Sequence, residues 1–70
     1  MAARERLLAE IEAFLKAENM SATAFGRAVA SDPRLVFDLR KGREPSARLM
    51  DAVADFIEIV GQAISFRFEK

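Results

Sequence analysis

The sequence predicts a compact, mainly α domain of four helices, followed by a short C-terminal β-strand. Three observations carry that expectation. Apolar residues recur at spacings of three and four through most of the chain, which is helical period. Start signals stand before three of the four runs, at Ser21, at Asp32-Pro33 and at Ser46. Only near the end, over residues 63–69, does the period shorten to two.

Residues 2–19 read as the first helix. Leu7, Leu8, Ile11, Phe14 and Leu15 make one apolar face, while Glu5, Glu10, Glu12 and Lys16 fall mostly on the other. Helix 2 is expected over about residues 22–29, with Ser21 as N-cap and Phe25, Ala28 and Val29 facing inward. Met20, just before the cap, is placed to staple against Phe25 across the first turn. Ala30 and Ser31 make a short turn, and helix 3 follows over about residues 33–41. Asp32 can accept from free backbone N–H groups there, and Pro33 gives up a hydrogen bond that a helix start never makes. Gly42 supplies the C′ residue after Arg40 and Lys41, cations that suit the helix dipole.

Two helices joined so tightly cannot lie antiparallel, so they are expected to cross steeply, and Gly26 would let the second approach closely. Within helix 3, Leu35, Val36 and Leu39 are expected inside. Pro33, Arg34, Phe37, Asp38 and Lys41 then face outward.

Arg43-Glu44-Pro45-Ser46 is a loop ending in a cap for helix 4, from about residue 47. That helix carries two apolar stripes: Met50, Val53, Ile57 and Val60, and beside them Leu49, Ala52, Phe56 and Ile59. One stripe is expected inside and the other on a partner. Beyond Gly61, Ile64, Phe66 and Phe68 alternate with Ser65, Arg67 and Glu69, as in a half-buried strand. A lone strand is unstable, so the economical partner is the same strand of a second copy. The same run also fits a continuation of helix 4. The chain thus divides into a helical domain, residues 1–60, and a dimerisation tail, residues 61–70. Phe56, Ile59, Ile64, Phe66 and Phe68 are the candidate dimer interface.

Composition narrows the chemistry. Seventy residues make one small domain, and a chain of that size buries only about 60% of the surface it exposes when unfolded. Cysteine and histidine are absent, so disulfides, thiolate metal sites and the usual general base are excluded. No catalytic constellation, metal or cofactor is expected, and the chain does not read as an enzyme. The apolar runs are too short to span a bilayer. Residues 1–10 do not resemble a signal peptide, which points to the cytoplasm. Net charge is zero, but residues 21–48 hold six Lys/Arg against three Asp/Glu. Local charge of that kind can steer a polyanion whatever the total.

Met20 to Gly42 resembles, without a gap, the helix-turn-helix of the lambda-repressor-like (Cro/repressor, XRE-type) family. The matching slots are apolar Met20, cap Ser21, small Gly26 and terminal Gly42. Arg43-Glu44-Pro45-Ser46 with Met50, Val53, Ala54 and Ile57 is similar to the continuation of that family. Two slots differ. The turn holds Ala30 and Ser31 where Gly and an apolar residue are usual, and helix 2 opens with Ala22 where Gln is frequent.

The resemblance implies a Cro-like repressor that binds double-stranded DNA at a near-palindromic operator as a homodimer. It places helix 3 in the major groove, with Pro33, Arg34, Phe37 and Asp38 near base edges. Arg34 is the first choice for guanine O6 and N7, and a phosphate contact or a pair with Asp38 competes for it. Phe37 faces either a thymine methyl or the edge of its own domain. Asp38 would orient Arg34 or accept from cytosine N4. Ser21, Ala22 and Thr23 at the start of helix 2, with Lys41 and Arg43, would hold phosphates, joined by Arg27 and Arg48. The rival reading is a protein-interaction module without DNA, an adaptor or antitoxin-like partner.

Overall fold

A computed structural model describes the backbone of residues 3–68 and the side chains as far as Gly61. It contains four helices: α1 (Ala3–Glu18), α2 (Ala22–Ala30), α3 (Leu35–Arg40) and α4 (Ala47–Phe68). The core draws on all four. Leu7, Ile11, Phe14 and Leu15 of α1 meet Phe25 of α2, Leu35, Val36 and Leu39 of α3, and Val53 of α4. Phe25 is wholly buried and lies edge-on to Phe14 and Phe56, with ring centroids 5.8 and 5.5 Å away. Phe14 and Phe56 close the triangle at 5.8 Å. Burying a Phe contributes about 1.5–3 kcal/mol, and each edge-to-face pair adds about 0.5–1.5 kcal/mol. These three rings therefore fix how α1, α2 and α4 meet.

Local chemistry sets the helix ends. Ser21 Oγ accepts from the N–H of Ala24 and Ser46 Oγ from that of Leu49, so both expected serine caps form. After α1, Asn19 takes a left-handed φ of 54°, and the N–H of Met20 bonds back to Leu15 O at 2.9 Å. After α3, Gly42 does the same service at φ 115°. The N–H of Gly42 reaches Leu39 O and that of Arg43 reaches Asp38 O, both closing free carbonyls. Met20 is partly buried against the core cluster that contains Phe25.

Gly26 is the point where α2 and α3 touch. A Cβ there would fall on the backbone carbonyl of Asp32 and 3.2 Å from Leu35 Cβ. The N–H of Asp32 in turn bonds to Gly26 O at 3.1 Å. The close approach expected from the glycine is thus built from backbone, with no room for a side chain.

Several expectations need correction. Helix 2 runs on through Ala30, and Ser31 alone makes the left-handed step, φ 54° and ψ 33°. Ala28 is exposed, because the buried edge of α2 is only as wide as Phe25, Gly26 and half-buried Val29. Helix 3 begins at Leu35 because Asp32-Pro33-Arg34 first forms a tight turn, Leu35 N–H to Asp32 O at 3.1 Å. The expected Asp32 cap is not made: the N-cap position of α3 is Arg34, without a side-chain cap bond, and Asp32 Oδ1 instead closes the preceding turn by accepting from the N–H of Arg34 at 3.0 Å.

The expected C-terminal strand does not form over Ala63–Phe68, where the backbone is the last turns of α4. Extending an existing helix adds a hydrogen bond for each residue fixed, whereas a single strand leaves its backbone groups unpaired. Gly61 weakens that helix by only about 1 kcal/mol. Glu69 lies outside the described residues, and α4 crosses the expected boundary at residues 60–61 unbroken. Among the described residues there is no helix long and apolar enough to cross a membrane.

Candidate functional site

The outer side of α3 and the turn before it form an exposed, largely polar surface over a buried apolar edge. Leu35, Val36 and Leu39 anchor α3 from beneath, all wholly buried. Pro33, Arg34, Phe37 and Lys41 are left exposed and Asp38 half-exposed, as the periodicity predicts. Phe37 keeps 40% of its surface open.

Phe37 is neither folded into the core nor bare. The Arg40 guanidinium lies 5.5 Å from its ring centroid, close enough for a cation–π contact. Arg40 is held there by a two-point bond to Glu12 of α1, at 2.7 and 2.9 Å. That bond draws the Glu12 carboxyl below its ordinary range and raises the Arg40 guanidinium, with direct charge attraction a lesser cause. Partners 28 residues apart leave no local signal, and the sequence reading missed this pair. It also missed Arg4, whose Nη1 donates to Leu39 O at 3.1 Å and ties the start of α1 to the end of α3.

Asp38 does not meet Arg34. Its carboxylate lies 3.6 Å from Arg43 Nη1, and the same Nη1 donates to Asp32 Oδ2 at 3.2 Å. The reason is backbone geometry. Arg34 precedes the helix at φ −99° and ψ 3°, so the spacing that pairs side chains four apart on a helix does not apply. The turn at Gly42 instead brings Arg43 back over the last turn of α3. The Asp32 carboxyl sits below its ordinary range, mainly through the Arg34 N–H and then through Arg43.

The remaining expected phosphate contacts lie on α2, at the end of α3 and at the start of α4. Ser21 is exposed, with Ala22 and Thr23 half-buried at the start of α2, and Arg27, Lys41 and Arg48 are exposed. Arg43, Ser46 and Arg48 border a shallow recess of about 310 Å³ with Val29 and Leu49. Of the expected dimer residues, Phe56 instead belongs to the aromatic triangle, half-buried between Phe14 and Phe25. Ile59 is 66% exposed. The side chains of Ile64, Phe66 and Phe68 lie outside the described residues. Among the described residues, no group of three His, Cys, Asp or Glu is gathered as a metal site. Comparison with protein-family models, with curated proteins and with solved structures gives no match.

Proposed function

We propose that this chain is a sequence-specific DNA-binding transcriptional regulator, a Cro-like repressor that occupies a near-palindromic operator as a homodimer. The observation that carries the reading is the α2–α3 pair, clasped backbone to backbone at Gly26 and Asp32, with Pro33, Arg34, Phe37 and Lys41 open on its outer side. In this reading the pair is a helix-turn-helix. Its second helix enters the major groove and the start of α2 meets the phosphates. Arg34 has no side-chain ion pair among the described residues, which leaves its guanidinium for guanine O6 and N7. Phe37, steadied by Arg40, offers its open edge to a thymine methyl. Lys41, Arg27 and Arg48 supply phosphate contacts. Two copies with these helices about 34 Å apart would read two half-sites.

The test is selection of bound duplexes from a random pool, followed by titration of affinity against salt. A consensus with two-fold symmetry and a steep fall with salt are expected. No enriched sequence, or a flat salt response, would sink the reading. One observation favours a protein-interaction module instead: Arg40 and Arg43, a third of the cations of residues 21–48, are occupied by the protein's own acids. That rival predicts no duplex binding at any salt concentration.

A further inference from the structure

α1 and α4 leave a groove between them. Leu7, Glu10, Met50 and Ala54 border a recess of about 300 Å³. A second of about 520 Å³ continues it, sharing Glu10 and Ala54 and lined also by Ala13, Phe14 and Ile57. Together they follow α1 from Ala3 to Ala17, about 21 Å at helical rise. The lining of the larger recess is mostly apolar, and Glu10 and Glu58 are the two acids in it.

α4 outruns the body that it packs on. Its 22 residues make a rod of about 33 Å. The molecule extends 41 Å in one direction and only 23 and 19 Å in the others. Val60 is the last described residue of α4 packed on the core, and a Cβ on Gly61 would meet nothing within 4 Å. The helix then continues through Ile64, Phe66 and Phe68, with Arg67 as the single charge before its end. A continuous helix cannot bend back into a groove that it lines itself, so these turns cannot fill it within one chain.

We infer that the last two turns of α4 in each copy occupy the α1/α4 groove of a second copy, a reciprocal exchange that rests on the homodimer part of the reading above. Positions 54, 57, 61, 64 and 68 recur at spacings of three and four, one continuous face of α4. Two α4 helices crossing antiparallel at Gly61 set Ile64 of one copy beside Glu58 of the other. They also set Phe68 beside Ala54, and both of these neighbours border the larger recess. Glycine at the crossing lets the two axes come close, since interaxial distance follows the side chains at the contact. The cation of the incoming turns, Arg67, arrives at a lining that carries Glu10 and Glu58. The contact is isologous and closes on a two-fold axis, so it ends at two copies.

The absence of cysteine makes the test clean. Full chains carrying Glu58→Cys and full chains carrying Ser65→Cys are mixed and oxidised under native conditions. The mixed disulfide should outweigh either self-disulfide by about tenfold, because only the unlike pair is held at high local concentration. Ala13→Arg in the groove lining should give a monomer by light scattering while circular dichroism stays helical. A monomeric unsubstituted protein, a dimer lacking the preferred mixed disulfide, or a dimer surviving Ala13→Arg would each overturn the exchange. Duplex binding, measured separately, judges the DNA reading: binding without the mixed disulfide defeats the exchange alone, and the mixed disulfide without binding defeats the DNA reading alone.

Discussion

Arg43 donates to Asp32 at 3.2 Å and stands 3.6 Å from Asp38, so one guanidinium ties the turn before α3 to the middle of that helix. If this face meets a polyanion, as proposed, two carboxylates on it would repel that partner, and Arg43 offsets both. On the proposed DNA-binding reading, Arg43 acts as an internal counterion more than as a phosphate contact. Arg43→Gln should weaken binding of the selected duplex, by about tenfold for a lost charge contact of about 1.4 kcal/mol. Asp38→Asn added to it should recover most of that loss. If the two changes simply add in a double-mutant cycle, Arg43 returns to the phosphate set.

Gly26 makes a sharper prediction, independent of function. Gly26→Ala forces its Cβ into the Asp32 carbonyl, a backbone atom that cannot move without parting α2 from α3. The cost should be about 1–3 kcal/mol or more, as for other overpacked sites. Urea unfolding would show it as a lower midpoint at unchanged slope. An unchanged midpoint would mean that the two helices sit farther apart than described.

What the sequence revealed and what it hid divide along contact range. Ser21, Ser46 and Gly42 announce themselves because a cap is made by residues within three or four positions. The buried faces of α1 and α3 follow from period alone. Phe56 was assigned to a partner because two stripes on one helix look redundant. Its place is set by Phe14 and Phe25, 42 and 31 residues away, which no local pattern encodes. Arg40 with Glu12, and Arg43 with its two acids, are hidden for the same reason, and they alter the charge available on the candidate face. The tail was misread because three alternating apolar residues fit either period, and only the preceding helix decides between them.

Phe56→Ala tests the corrected assignment. Removing a half-buried ring that touches two others should cost about 2–4 kcal/mol, since it opens a cavity as well as losing buried area. The loss should appear in the unfolding of the dilute protein. A stability that drops only at concentrations where copies associate would return Phe56 to an interface.

Acid should destabilise the fold. The carboxyls of Glu12 and Asp32 are both held below their ordinary range. Between the lowered folded values and the ordinary values of about 4 in the unfolded chain, the unfolded state binds more protons. Stability from these groups is therefore complete above about pH 5 and is lost as pH falls through the folded values. Melting temperature should fall below that pH, and Glu12→Gln should flatten part of the fall. Both side chains keep a third or more of their surface open, so salt should also reduce the effect. A melting temperature that rises on acidification would contradict both pairs.

Arg34 carries the strongest functional prediction. Its side chain is exposed, its backbone N–H is satisfied by Asp32, and α3 is anchored by Leu35, Val36 and Leu39 without it. Arg34→Ala should leave the unfolding midpoint within about 0.5 kcal/mol of the parent, as for other exposed positions. If Arg34 reads guanine, repeating the duplex selection should show preference lost at one base pair in each half-site, worth about 1–3 kcal/mol, with the other positions unchanged. A phosphate contact would behave differently, weakening all duplexes alike and lowering the salt dependence by about one ion. Unchanged selection and an unchanged salt slope together would remove Arg34 from the interface and leave the outer side of α3 without its principal reader.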